Sequence, residues 1–198
     1  MNLEKSAASD LIQQPPLPLP LTPEMPIFYV VAKKKFFILF IATFSFYSYY
    51  WFWKQWNIRR KATGEKMWPI ARAIFTIFFV YSLFEEIELA ANKVTSTANP
   101  RLHIAAVVYI IGEVLFKLLD KISPIAIVYL LSTILLVVVL TFSAWQAQSQ
   151  ANIASLDAKG KGKGNSSLTP LNYIWIALGA LLWLLIIVGT FLEPFTEI

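Results

Sequence analysis

Cysteine is absent from the chain of 198 residues, and histidine occurs only once, at His103. Without thiols the protein forms no disulfide and offers no thiolate ligand to zinc or to an iron–sulfur cluster. One histidine does not make an H-E-x-x-H zinc site, and no nucleophile elbow is present. The sequence therefore predicts no metal and no cofactor, and it favours a non-enzymatic protein over an enzyme.

Charged residues are also scarce. They make up 15% of the chain, whereas apolar residues make up 57%; a soluble domain has roughly 25% and 45–50%. The charges lie at the ends of long uncharged runs, which excludes a disordered protein, a coiled coil and a typical soluble enzyme. The pattern is typical of a polytopic membrane protein. Because open strands cannot satisfy their backbone groups in lipid, we expect an all-α bundle.

Five apolar runs predict four or five membrane elements. The last run is the clearest, since the 22 residues from Leu171 to Leu192 carry no charge, enough for a helix to cross about 30 Å of hydrocarbon. Residues 1–32 are expected to form a proline-rich tail, and residues 33–198 the membrane domain. The connection at 159–164 alternates lysine with glycine and is expected to be flexible. The predicted elements are residues 36–53, 70–91, 102–119, 124–143 and 171–192.

The first run, residues 36–53, has basic residues at both ends. In membrane proteins, the loops on the cytoplasmic side carry more Lys and Arg than the loops on the other side. If all five runs cross the membrane, the 17 Lys and Arg residues divide at best into nine on the cytoplasmic side and eight on the other. If the first run turns back, twelve lie on the cytoplasmic side and five on the other. If the third run also fails to cross, the division is thirteen against four. We therefore favour a re-entrant or interfacial first element, with Lys33 and Arg60 both cytoplasmic.

Aromatic side chains crowd the second half of this run and predict contact with the membrane surface. Tyr and Trp rings favour the head-group level, where the ring is half buried and its polar tip is hydrated. The neighbouring Lys and Arg side chains are expected to meet anionic lipid head groups. Nucleic acid is not an expected partner, because a soluble basic surface is lacking. The expected interfacial anchors are Tyr50, Trp51, Trp53, Trp56 and Trp68.

Two polar stripes interrupt the apolar runs. On the second helix, Glu85, Glu88 and Asn92 fall on one face by steps of three and four residues. On the third, Glu113 precedes Lys117 by four residues, the favourable order for an ion pair. Charges at membrane depth normally face the protein interior or water. Either the stripes neutralise each other between the helices, which we favour, or they line a proton or cation path or a ligand pocket between the second and third helices.

The segment 35–92 resembles a group of uncharacterised bacterial inner-membrane proteins. The resemblance rests on Tyr50-Trp51-Phe52-Trp53-Lys54-Gln55-Trp56, preceded by Ala42-Thr43-Phe44-Ser45-Phe46-Tyr47 and followed by Arg72-Ala73-Ile74-Phe75 and Tyr81-Ser82-Leu83-Phe84. Those proteins commonly carry glycine at the position of Ser45, so serine here would favour a straighter first element. The resemblance implies a multi-pass protein of the bacterial inner membrane, and it implies no activity or site residues.

Together these features favour a non-enzymatic integral membrane protein. We expect an accessory or scaffold subunit, or a membrane-resident protective factor, with the bilayer and a membrane protein as its partners. The alternative is a small transporter or channel component that uses the intramembrane Glu and Lys residues, and an intramembrane enzyme is a third hypothesis. A dry ion pair between Glu113 and Lys117 would favour the scaffold, and a water-filled crevice reaching Glu113 would favour transport.

Overall fold

A computed structural model describes residues 26–95, 101–122, 125–155 and 165–192. All regular secondary structure in these ranges is helical, which confirms the predicted all-α class. The predicted flexible connection at 159–164 and most of the proline-rich tail lie outside the described residues. The helices are α1 (Lys33–Ala42), α2 (Tyr47–Thr63), α3 (Pro69–Ile74), α4 (Thr76–Val94), α5 (Leu102–Ile122), α6 (Ala126–Ser155) and α7 (Pro170–Leu192).

The first apolar run does not form one continuous helix, because α1 ends at Ala42 and α2 begins at Tyr47. Between them Phe44 and Ser45 have φ angles of 52° and 64°. This left-handed region costs a residue other than glycine roughly 1–2 kcal/mol. The expectation that serine would straighten the element is therefore wrong: Ser45 is held in the turn by the packing on either side of it.

The helices α1 and α2 fold back on each other as a hairpin. The ring of Phe40 packs edge-on against that of Tyr47, with centroids 5.4 Å apart. Further from the turn, the ring of Phe36 packs edge-on against that of Trp51 at 5.9 Å. Because the contacts pair residues at increasing distance from the turn, the two helices are antiparallel. The start of α1 and the end of α2 therefore lie at the same end of the molecule.

A second hairpin is formed by α3 and α4. The predicted element at 70–91 is divided at Phe75, where a φ of −93° and a ψ of 42° redirect the backbone. Before this residue α3 lies against the first turns of α2. After it α4 returns along α2, until Glu86 Oε2 lies 2.7 Å from Arg59 Nε near the end of α2. Pro69 suits the first turn of α3, where no amide donor is needed.

The three longest helices alternate in direction, with α5 and α7 each running antiparallel to α6. Helices α5, α6 and α7 have 21, 30 and 23 residues, or roughly 31, 45 and 35 Å. The Ser143 hydroxyl of α6 donates to the Ala105 carbonyl in the first turns of α5, and Gly112 packs on Leu140. Helix α6 ends, and α7 begins, at the end of the molecule where the two hairpins open. We call this the open end.

The core is aromatic and lies where the first hairpin meets α4, α5 and α6. Edge-to-face ring pairs such as those found here contribute about 0.5–1.5 kcal/mol each beyond their buried area. Trp51 and Trp56 are 0% exposed, so they are core residues and not surface anchors as predicted. Tyr50, Trp53 and Trp68 remain partly or largely exposed. The largest fully buried rings are Phe28, Phe36, Phe40, Trp51, Phe52, Trp56, Phe84 and Tyr109.

Two helices of the described residues, α6 and α7, are long and apolar enough to cross a membrane, with a hydropathy of 2.5 in each. They differ in how far the fold covers them. In the most apolar stretch of α7 only 11% of residues are buried, against 39% in α6. Large contiguous apolar surfaces are rare on soluble monomers. The bare surface of α7 is therefore suited to lipid.

Helix α7 contacts the turn of the first hairpin at close range. A methyl group built on Gly179 would lie 1.9 Å from the Ala42 carbonyl oxygen. One turn further on, the Trp183 Nε1–H donates to the Ile41 carbonyl at 3.0 Å, and its ring stacks on Phe44 at 3.9 Å. Because these contacts lie near the middle of α7, the hairpin extends about halfway along that helix.

We expect Gly179→Ala to lower the free energy of unfolding by about 1–3 kcal/mol, because the new methyl group would overlap a backbone carbonyl that no rotamer change can move. Gly189→Ala is the matched control, since a methyl group there meets nothing within 4 Å. Its stability should be unchanged or higher by up to about 1 kcal/mol, because alanine favours a helix. Thermal unfolding in detergent measures both variants, and equal midpoints would contradict the close contact.

Candidate functional site

Residues 27–32, which the sequence assigned to the tail, form a non-helical segment against α6 that bends at residues 27 and 28 and is extended at Ala32; we call it the extended segment. Their backbone is hydrogen-bonded by side chains in the way that a neighbouring strand would bond it. The Val31 N–H donates to Asn152 Oδ1 at 3.2 Å, and Asn152 Nδ2 donates to the Val31 carbonyl at 3.0 Å. The Ser155 hydroxyl likewise accepts from the Phe28 N–H at 2.9 Å and donates to the Phe28 carbonyl at 3.1 Å.

Two glutamines bond the backbone of Tyr29, which lies between Phe28 and Val31 in the segment. The Tyr29 N–H donates to Gln55 Oε1 at 2.9 Å, and Gln148 Nε2 donates to the Tyr29 carbonyl at 2.8 Å. Gln148 Oε1 accepts from Gln55 Nε2 at 3.0 Å and also from the Trp51 indole. Gln148 Nε2 further donates to Asn152 Oδ1 at 2.6 Å. Both glutamines are 0% exposed, so α2, α6 and the extended segment share one buried amide network.

Asn165 attaches the start of α7 to the same segment. Its Nδ2 donates to the Tyr29 hydroxyl at 2.7 Å and to the Val30 carbonyl at 3.0 Å. Its backbone carbonyl accepts from the Ala32 N–H at 3.2 Å, and its Oδ1 accepts from Lys35 Nζ at 2.7 Å. One asparagine side chain and its backbone thus bind four groups at the open end.

The ammonium group of Lys35 is buried at this junction, with 4% of the residue exposed. Besides Asn165 it donates to the Ser167 carbonyl at 2.8 Å. Its burial lowers the pKa of the Lys35 ammonium from the ordinary value of a lysine. A buried charge is costly unless it is hydrogen-bonded, so these two neutral acceptors are what allow a lysine to lie here.

Sequence reasoning missed this amide network. The fourth predicted element ended at residue 143, whereas α6 continues to Ser155. The available signal was spacing: Gln148, Asn152 and Ser155 stand at i, i+4 and i+7 and fall on one helix face. Neutral amides stand out less in a sequence than charged residues do, but a buried amide group needs hydrogen-bond partners just as a buried charge does.

The predicted pair on α5 is present. Lys117 Nζ lies 3.8 Å from Glu113 Oε2, with side chains 58% and 15% exposed. The Tyr109 hydroxyl donates to Glu113 Oε1 at 3.3 Å. The glutamate is thus enclosed by the bundle, whereas the lysine extends away from it. The contact is a loose ion pair and not a doubly buried one.

The predicted stripe on α4 does not join this pair. Glu85 and Asn92 are exposed, and Glu88 is half-buried. Among the described side chains no ion pair connects either glutamate to α5. The carboxylate of α4 that is paired is Glu86, which accepts from Arg59 of α2. The two polar stripes therefore do not neutralise each other, and the candidate cluster proposed from the sequence separates into two unrelated places.

A cavity of about 370 Å³ lies between the first hairpin and the first turns of α7. Leu39, Phe46, Leu171 and Trp175 supply apolar walls, and Tyr47 lines it with a phenol ring. Thr169 and Asn172, at the start of α7, also line it, and they cap that helix reciprocally. The volume lies within the range of about 300–1,000 Å³ found for small-ligand pockets.

In the part of the chain that the structure describes, these features define an all-α protein in which two helices are long and apolar enough to cross a membrane. Among the described residues, no group of three or more His, Cys, Asp or Glu side chains is placed to hold a metal ion. Comparison with protein-family profiles, with curated proteins and with solved structures gives no match.

We expect Gln148→Leu to lower the free energy of unfolding by several kcal/mol, because it leaves buried partners unsatisfied at about 1–3 kcal/mol each. Gln150→Leu is the matched control on the same helix. Gln150 is buried too, but its Oε1 has no hydrogen-bond partner among the described residues. Its replacement should be neutral or stabilising. Thermal unfolding in detergent compares the two, and equal losses would mean that the network contributes nothing specific.

Proposed function

We propose that the protein is a polytopic membrane protein in which α5, α6 and α7 cross the bilayer and both hairpins enter and leave from one side. The observation that carries this proposal is the gathering of Lys and Arg residues at the open end. It rests on the contacts that place both ends of each hairpin, given below, and on the alternating direction of the long helices described above.

Both ends of the first hairpin are tied to the open end. The Ala32 N–H donates to the Asn165 carbonyl at 3.2 Å just before α1 begins. At the other end of the hairpin, the Arg59 guanidinium lies 5.7 Å from the ring of Phe28. Phe28 in turn is hydrogen-bonded to Ser155, the last residue of α6. A hairpin with both ends here does not cross to the other side.

The second hairpin behaves in the same way. Residues leading into α3, including Met67, lie beside Arg60 near the end of α2. The last turn of α4, with Lys93, lies beside Ser155 and Arg59. Both ends of the pair are therefore at the open end. The two hairpins and the three long helices make five membrane elements, of which three cross.

This arrangement divides the charges sharply. Twelve of the 17 Lys and Arg residues belong to segments at the open end or to the connection between α6 and α7, whereas Lys54 and Arg72 lie within the two hairpins. Lys117 and Lys121 belong to α5, and Lys5 belongs to the N-terminal tail. An excess of basic residues marks the cytoplasmic side. The open end is therefore the cytoplasmic face, and in a bacterium the membrane is the inner membrane.

Within this placement we propose a non-enzymatic role, as a scaffold or accessory subunit or as a protective membrane factor. What supports this role is the buried amide network, whose side chains are engaged in holding α2, α6 and the extended segment together. The basic cytoplasmic face, on which Trp68 is 81% exposed, suits anionic lipid head groups and a membrane-protein partner.

A small transporter or channel component is the second candidate. The observation that favours it is Glu113, a carboxylate enclosed by the bundle and hydrogen-bonded by Tyr109. Intramembrane carboxylates commonly serve proton and cation pathways. Proton flux into proteoliposomes that is lost in Glu113→Gln would favour this candidate, and its absence from the unaltered protein would leave the scaffold.

The topology predicts where introduced thiols react, and the cysteine-free chain gives no background. Single cysteines at Lys33, Arg60 and Lys93 should react with an impermeant thiol reagent only after cells are lysed, because all three lie at the cytoplasmic face. A cysteine at Ile125, between α5 and α6, should react in intact cells. Labelling of the Lys93 position in intact cells would mean that the second hairpin crosses the membrane. Labelling of only one of the Lys33 and Arg60 positions would mean that the two ends of the first hairpin lie on opposite sides.

A further inference from the structure

We propose that the cavity between the first hairpin and the start of α7 binds one phospholipid of the surrounding bilayer. An acyl chain would lie against the apolar walls, and the phosphate would lie at the first turn of α7. The proposal rests on the membrane placement proposed above, since it requires α7 to face lipid. It adds a specific ligand site, which that placement does not require.

The walls of the cavity suit an acyl chain. Phe46, Leu171 and Trp175 line it and are 58%, 58% and 52% exposed. In a membrane these exposed side chains face lipid, so a chain reaches the cavity sideways from the bilayer. Leu39, which is fully buried, closes its inner wall. A soluble polar ligand would leave this apolar surface without a partner.

A buried hydroxyl indicates a polar ligand group in the same cavity. Tyr47 lines the cavity and is 8% exposed; its buried hydroxyl lies near the hydroxyl of Tyr29, but no hydrogen bond of normal geometry joins it to a described residue. Buried polar groups in native proteins are nearly always hydrogen-bonded. A phosphate or ester oxygen of a bound lipid would accept this hydrogen bond.

The local charge favours an anion. Thr169 and Asn172 place the first turn of α7 at the cavity wall, and the N-terminus of a 23-residue helix carries partial positive charge. The Lys54 ammonium lies 5.7 Å from the ring of Tyr50, which also lines the cavity. Among the side chains that the structure describes, no carboxylate lines the cavity. A phosphate suits this site because it is an anion beside a helix N-terminus and a lysine, with no carboxylate to repel it. The acyl chains of the same phospholipid stay in the membrane.

The test titrates lipid onto the full-length protein after exhaustive delipidation in detergent, with native mass spectrometry to count bound molecules. The probes are dioleoyl phosphatidylglycerol, dioleoylglycerol with the same chains but no phosphate, and inorganic phosphate. We expect one phosphatidylglycerol per chain, bound about tenfold more tightly than dioleoylglycerol, because a hydrogen-bonded charge is recognised. Inorganic phosphate should not bind. Equal binding of the two lipids, or a random distribution of several lipids, would overturn the proposal.

Tyr47→Phe removes the hydroxyl and keeps the ring, so the fold should be preserved. We expect it to weaken phosphatidylglycerol binding by about tenfold. Tyr173→Phe is the matched control, since Tyr173 is an exposed tyrosine of α7 that does not line the cavity. Leu171→Trp, which fills the cavity from an exposed position, should also reduce binding. Unchanged binding in both Tyr47→Phe and Leu171→Trp, with folding verified by circular dichroism, would place the lipid elsewhere.

Discussion

The fold depends on how the backbone of residues 27–32 is hydrogen-bonded. An extended segment inside a helical bundle has no neighbouring strand, and unpaired backbone groups there would each cost about 1–3 kcal/mol. The side chains of Asn152, Gln148 and Gln55 supply the missing donors and acceptors. Because these side chains belong to α2 and α6, satisfying the segment also fixes the two helices against each other. Asn165 extends the same bonding to α7.

Two properties of the molecule follow from this junction. First, the chain enters α1 at a defined place, so that α1 and α2 can form a hairpin whose turn reaches the middle of α7, where Gly179 permits close contact. Second, the polar and basic residues gather at one end, while α7 and the first half of α6 keep apolar surfaces along the rest of the molecule. This division between a polar end and an apolar body is what the proposed membrane placement requires.

The helical class and the apolar runs could be predicted from length, charge and hydropathy, because these depend on composition over many residues. The ion pair of Glu113 and Lys117 was predictable from its four-residue spacing. The bend at Phe75 was not, since neither glycine nor proline marks it, and the amide network was not, since it joins residues about a hundred positions apart. Trp51 and Trp56 were misplaced at the surface because composition cannot tell an interfacial ring from one that a hairpin covers.

The central claim, that side-chain amides hold residues 27–32 inside the bundle, is tested most directly by hydrogen–deuterium exchange of the full-length protein in detergent. The amides of Tyr29 and Val31 donate to Gln55 and Asn152, and they should exchange as slowly as the amides in the second half of α6. Exchange at the rate of an unstructured peptide would contradict the claim, because the segment would then be a tail lying on a bundle that folds without it.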